Sequence, residues 1–123
     1  MKGYVGNIEE ATLANNYYRA VLFTGPDSQL VVMALKPGEE IGEEAHDLDQ
    51  FLRIEAGEGE VILDGETRPI GDGVAIVVPK GTKHNIRNTG GETLKLYTIY
   101  TAPQHQDGTI HKTKEDSVRE EGH

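Results

Sequence analysis

The sequence predicts an all-β fold, a sandwich or a closed barrel. Turn signals recur about every eight to twelve residues: Gly25-Pro26-Asp27, Pro37-Gly38, Gly57-Glu58-Gly59, Asp64-Gly65, Gly71-Asp72-Gly73, Pro79-Lys80-Gly81 and Gly90-Gly91. Between them lie short segments rich in β-branched and aromatic residues, as expected of several short strands joined by tight turns. A length of 123 residues leaves room for one hydrophobic core, so residues 1–123 read as a single domain.

Taken in order, Asn7 with Glu10 three residues later has the form of a capping box, which places a helical turn there. Residues 17–24 alternate loosely and read as a strand. Gln29–Leu35 (QLVVMAL) is nearly all apolar and reads as a strand covered on both faces. In Gln50–Ala56, Gln50, Leu52, Ile54 and Ala56 share one face and Phe51, Arg53 and Glu55 the other; the first face points to the core. Gly57-Glu58-Gly59 turns the chain into a strand at 60–64, and Asp64-Gly65 turns it again. Residues 74–78 form a buried strand stopped by Pro79. Strands at 84–88 and 93–101 follow, the latter alternating Leu94, Leu96, Thr98 and Tyr100 against Lys95, Tyr97 and Ile99. After Pro103 the apolar pattern stops. Residues 112–121 (KTKEDSVREE) are polar all round and read as a short surface helix or a frayed tail. The barrel core is thus expected over about 17–101, with 102–123 as a C-terminal tail or lid.

Charge narrows the partners. Twelve Lys and Arg against 21 Asp and Glu give 12 − 21 = −9, a balance that repels nucleic acid and anionic membranes. The absence of cysteine excludes disulfides, thiolate zinc sites and cysteine nucleophiles. No apolar run approaches a membrane span, and no signal-like stretch follows Met1, so the expected address is cytoplasmic.

Four polar residues are candidates to converge. Glu44 and His46 are two apart, so on extended backbone they point the same way. Gln50 shares the core face of Leu52 and Ile54, and His84 shares that of Ile86. Burying one carboxylate, two imidazoles and one amide without partners would cost about 1–3 kcal/mol for each neutral group and more for the carboxylate. A divalent cation removes most of that penalty. Imidazole nitrogens with carboxylate and amide oxygens suit Mn, Fe, Co, Ni or Zn. Each residue also has a plainer reading. A lone His84 on an apolar face is usually a hydrogen-bonded core residue, and Glu44 could be one more solvated charge in the acidic run 39–44.

Two spacings resemble a known family. Gly38, five residues, Glu44-Ala45-His46, three residues, Gln50, six residues and Gly57 resemble the first motif of the cupins. Gly73, five residues, Pro79-Lys80-Gly81, two residues, His84, three residues and Asn88 resemble the second at every fixed position. The resemblance is to small single-domain cupins with one conserved barrel, including those called mannose-6-phosphate-isomerase-like. It implies a double-stranded β-helix, the jelly-roll cupin barrel, with Glu44, His46, Gln50 and His84 as metal ligands. The first motif departs from the family twice: Glu44 stands where the family has a histidine, and Gln50 where it has a glutamate. The single carboxylate has moved rather than vanished, so a divalent site keeps a formal charge of about +1. Gln50 has an alternative, hydrogen bonding to a metal-bound water or a substrate.

The resemblance implies a small metal-binding protein whose ligand is a small molecule. As an enzyme it would act on a small oxygen-rich organic molecule such as a sugar, by isomerase or epimerase chemistry or by dioxygenase chemistry. Glu44 could then serve as base. His105, in the segment with His111, would transfer protons if that segment folds over the barrel mouth; a surface tail is the commoner outcome. The alternatives are a non-catalytic module that binds a metal or small ligand, and a structural barrel with no metal. Arg53 and Tyr97 are weaker candidates for a pocket mouth and are equally at home on a solvated strand face. A homodimer is expected, with Phe51 and the apolar strand at 30–35 as interface residues.

Overall fold

The computed structural model describes residues 2–121; residue 1 and the last two residues of the expected tail lie outside the described residues. The chain folds as α1 (Ile8–Ala14), β1 (Arg19–Thr24), β2 (Gln29–Leu35), β3 (Gln50–Ala56), β4 (Glu58–Leu63), β5 (Glu66–Gly71), β6 (Ala75–Val78), β7 (His84–Arg87), β8 (Leu94–Tyr100), β9 (Ile110–His111) and α2 (Lys114–Glu121). The strands form a six-stranded sheet in the order β6-β3-β8-β2-β1-β9 and a three-stranded sheet in the order β5-β4-β7. Every pairing is antiparallel. Bridges Glu40↔Arg87 and Glu44↔His84 lay residues 40–44 along the outer side of β7. This is the jelly-roll architecture expected from the two motifs.

The alternation read in the sequence determines which side chains fill the space between the sheets. Val31, Met33 and Leu35 of β2, Leu52 and Ile54 of β3, and Leu94 and Leu96 of β8 meet Val61, Ile70 and Ile86 from the smaller sheet. β2 runs between β8 and β1, so its backbone is paired on both sides. Val32 and Ala34, on its outer face, are also buried within the chain, and α1 packs across the outside of β8, β3 and β2. The strand at 30–35 is therefore interior and offers no free edge for a second copy. The α1 cap matches the sequence reading: the Glu10 N–H donates to Asn7 Oδ1 at 3.0 Å.

Two strands went unread. In β5 only Ile70 is fully buried; Glu66, Thr67, Arg68 and Pro69 are exposed, so no alternation marks it. A proline is tolerated because β5 is an edge. The second is β9, which pairs with β1 through Arg19↔His111 and Ala20↔Ile110. The segment after Pro103 is thus not a surface tail. β9 extends the large sheet and α2 follows it, begun by a reciprocal cap in which the Asp116 N–H donates to Thr113 Oγ1 and the Thr113 N–H to Asp116 Oδ2. No helix among the described residues is long and apolar enough to cross a membrane.

Candidate metal centre

Glu44 and His84 come together through backbone. The Glu44 N–H donates to the His84 carbonyl at 2.9 Å and the His84 N–H to the Glu44 carbonyl at 2.8 Å. Residues that exchange both bonds stand directly opposite, so their side chains leave the ladder on one face. His46, two residues on, is held by the Gly81 N–H, which donates to its carbonyl at 2.8 Å. Gly81 is at φ 82°, a conformation glycine adopts without a Cβ penalty. The motif glycine Gly57 has a further constraint: at φ 90°, a Cβ there would lie 2.7 Å from the Thr93 carbonyl oxygen.

The potential ligand atoms of Glu44, His46 and His84 all lie within 4.8 Å of one another. His46 Nε2 is 3.7 Å from Glu44 Oε2, and the two imidazole centroids are 5.3 Å apart. Ligands about 2.1 Å from one ion can be at most about 4.2 Å apart, so the carboxylate and His46 already span a coordination distance. His84 Nδ1 lies 3.0 Å from the Thr82 carbonyl. A carbonyl only accepts, so Nδ1 carries the proton and Nε2 presents its lone pair.

Gln50 is 4% exposed and points inward, opposite Tyr100 and Val78. The Thr98 hydroxyl donates to the Phe51 carbonyl at 2.9 Å and therefore accepts from Gln50 Nε2, also at 2.9 Å. This orients the amide, leaving Oε1 buried without a hydrogen-bond partner among the described residues. An orphaned buried acceptor costs about 1–3 kcal/mol, which a cation or an ordered water would recover. Two imidazole nitrogens, a carboxylate and an uncommitted amide oxygen are a donor set that fits a divalent transition metal.

His105 is placed differently. Its ring packs edge-on against Tyr100 at 5.6 Å, and Tyr100 in turn packs against His46 at 5.8 Å. The residue that holds it there was missed in the sequence. Gln29, fully buried, accepts from the Gln104 and His105 N–H groups at 3.0 Å each and donates to the His105 carbonyl at 2.7 Å and to Thr24 Oγ1 at 3.0 Å. Only its place at the start of an otherwise apolar strand could have marked it. Arg53 and Tyr97 are not near this centre: they stand on the outer face of the large sheet, where Arg53 pairs with Glu55 at 3.1 Å and Tyr97 packs on Phe51. Asn88, at the end of the second motif, is structural and donates to the Leu35 and Glu92 carbonyls.

A cavity of about 230 Å³ opens beside Glu44. A larger hollow of about 470 Å³ around Gly57, Glu58, Asp72 and Gly91 is lined by none of Glu44, His46, Gln50 and His84.

Residues 31–100 match the model of the cupin domain family, which is more than half of the chain. The chain is a cupin. It is 48% identical to uncharacterized protein YrkC of Bacillus subtilis (strain 168) over 128 residues, covering 98% of this chain and 68% of that one. Uncharacterized protein L612 of Acanthamoeba polyphaga mimivirus is 46% identical over 87% of this cupin and 70% of its own length. The crystal structure of BH2720 from Bacillus halodurans superposes with a TM-score of 0.93 at 43% identity, covering 96% of this chain and 95% of that one. Cupins commonly bind metal, and Glu44, His46 and His84 form a possible site for one here.

Proposed function

We propose that this cupin holds one divalent transition metal, Fe, Mn, Ni, Co or Zn, on Glu44, His46 and His84, with Gln50 Oε1 as fourth donor, and acts on a small oxygen-rich organic molecule. The observation that carries the reading is the oriented Gln50 amide, whose free oxygen is buried on the inner face beside Tyr100, the ring that packs on His46. The bound ion would polarise a carbonyl or enediol oxygen, or activate oxygen if it is a redox metal. The chain's own residues supply the rest. Glu44 is half-buried and opens on the cavity, so a carboxylate oxygen not engaged by the ion can take a proton from a ligand there. Thr98 fixes the Gln50 amide, and Thr82 the tautomer of His84. Gln29 anchors the His105 backbone, and the His105 ring packs on Tyr100, the ring that packs on His46, so a ligand reaching that side would meet an imidazole able to exchange a proton.

Loading the purified chain separately with iron and zinc, then measuring bound metal, oxygen uptake and turnover of small carbonyl compounds, tests this reading. It predicts one ion per chain. Turnover that persists with zinc under anaerobic conditions supports the isomerase branch and removes the oxygenase one. The amide at position 50, a weaker ligand than a carboxylate, favours a second reading: a module that binds a metal or small ligand without turnover. Stoichiometric ligand uptake without conversion would select it.

We also propose that two copies pair through β6, which has one strand partner among the described residues. Its Val77 is 63% exposed and stands opposite Phe51. A self-complementary pairing would satisfy the open backbone edge. A dimeric mass by light scattering is expected, and a monomer at micromolar concentration would remove the idea.

A further inference from the structure

Residues 101–109, between β8 and β9, cross the ends of three neighbouring strands of the large sheet, β8, β2 and β1. Thr101 is fixed beside β3: its N–H and its hydroxyl both donate to the Asp49 carbonyl, at 3.2 and 2.9 Å. Thr109 is fixed beside β1, where the Val21 N–H donates to its carbonyl at 2.9 Å. Between these ends Ala102 packs against the core and the His105 ring against Tyr100. We propose that residues 102–108 form a hinged flap over this end of the barrel, and that the Gln29 amide is the positioning group that latches it beside the metal centre. The proposal rests on the metal reading above for what the flap covers; its closure is testable without metal.

Gln29 opens β2 and stands opposite Tyr100, which in turn stands opposite Gln50. Residues directly opposite on a ladder share a face, so the three form one inward row across β2, β8 and β3. Adjacent strands lie about 4.8 Å apart, which puts the latch about 10 Å from the Gln50 backbone. The next inward positions of β2 are Val31, Met33 and Leu35. A fully buried amide beside them costs free energy unless its hydrogen bonds are made. All four are. Oε1 accepts from the Gln104 and His105 N–H groups, and Nε2 donates to the His105 carbonyl and to Thr24 Oγ1. Three of these bonds go to two adjacent flap residues that lie in no strand. One side chain thus stands in for a ladder partner at the middle of the flap. An apolar residue would fill the same place in β2; the grip on 104 and 105 is what the glutamine adds. Bonds made by a single amide are lost together, whereas the ends at Thr101 and Thr109 have their own partners and stay. Lifting of the flap therefore takes the His105 ring off Tyr100, the ring that packs on His46, and opens the centre on that side.

The test uses the full chain. In metal-free wild type, hydrogen exchange in low urea reads the opening directly. The Gln104 and His105 amides should exchange through a local opening with little urea dependence, about tenfold or more faster than the amides of β2 and β8. Gln29→Leu keeps the apolar bulk and removes all four bonds. It should speed exchange of those two amides about tenfold or more, with β3 and β8 still protected. The nuclear Overhauser contact between the His105 and Tyr100 rings should disappear with it. Mn²⁺ release to a chelator should quicken about tenfold while Mn²⁺ affinity, read by electron paramagnetic resonance, changes less than about twofold, because a gate alters entry and exit alike. Should Gln29→Leu fail to fold, Pro103→Gly frees the hinge outside the core cluster and should move the same readouts in the same direction. Three results would overturn the proposal: exchange of the two amides through global unfolding alone, a ring contact retained in the folded variant, or an unchanged release rate. The last would mean that the ion leaves through the cavity beside Glu44. Wild type that binds no Mn²⁺ overturns the metal reading instead, and amide exchange and ring contact in metal-free protein then decide on the flap.

Discussion

The centre of the large sheet and the C-terminal strap are held in place by different means. In β3 and β8, Leu52, Ile54, Leu94 and Leu96 are fully or almost fully buried among apolar neighbours. In β9 and α2 the interior groups are His111 and Ser117, joined to Arg19 by hydrogen bonds. Apolar burial is non-directional and spread over many contacts, whereas the strap depends on a few directed bonds. The first region should therefore lose stability in proportion to side-chain volume removed, and the second through the loss of single atoms.

The largest expected effect is in the sheet. Leu52→Ala or Leu96→Ala should lower unfolding free energy by about 2–5 kcal/mol, read as a fall in urea midpoint with unchanged slope. Arg19→Met comes next, at about 1–3 kcal/mol, because it strips partners from His111 and Ser117. Hydrogen exchange sharpens the contrast: amides of β9 and α2 should exchange faster while those of β3 and β8 keep their protection. Equal acceleration in both would mean that strap and sheet open as one unit.

The two regions were also unequally legible in the sequence. The bounds of β2 and β3 match the segments read from alternation and apolar content, because the residues that fill the core, Val31, Met33, Leu35, Leu52 and Ile54, recur at every second position. Residues 112–121 show no apolar stripe. Their docking depends on Arg19, 98 residues from Ser117 in sequence, and no local pattern reports such a partner. Gln29 escaped for the same reason, since its partners Gln104 and His105 are 75 and 76 residues away. The centre was legible where backbone spacing sets direction: Glu44, His46 and His84 converge as their motif offsets imply. Of the two alternatives open to Arg53, the solvated strand face holds, because its strand's core face, set by Gln50, Leu52 and Ile54, leaves it pointing outward.

Gln50 belongs to the sheet by position and to the polar class by chemistry, so it links the two regions. In metal-free protein, Gln50→Leu removes an orphaned oxygen and leaves the Thr98 bond to Phe51 in place. Unfolding free energy should then be unchanged or rise by up to about 1 kcal/mol, while metal affinity falls. A loss of more than about 2 kcal/mol would show the amide to be structural.

The smallest effect concerns the α2 cap. Desolvation pushes the Asp116 carboxyl up, but hydrogen bonds from Arg119 and the Thr113 N–H, the Arg119 charge and the Thr113 hydroxyl outweigh it and hold the carboxyl below its ordinary value of 3.8. A depressed carboxyl stabilises the fold fully above the ordinary value and loses that contribution as pH falls through the folded value. Helicity by circular dichroism should therefore decline slightly at acid pH, and Asp116→Asn should flatten that decline.

The central claim is that Glu44, His46, His84 and Gln50 share one cation. Crystals grown with Mn²⁺ or Zn²⁺ and measured above the metal's absorption edge test it directly. The account predicts one anomalous peak, about 2.0–2.3 Å from Nε2 of His84 and from a Glu44 carboxylate oxygen, on the side that Gln50 Oε1 faces. Metal peaks confined to other carboxylates, with these four side chains turned from a common point, would contradict it.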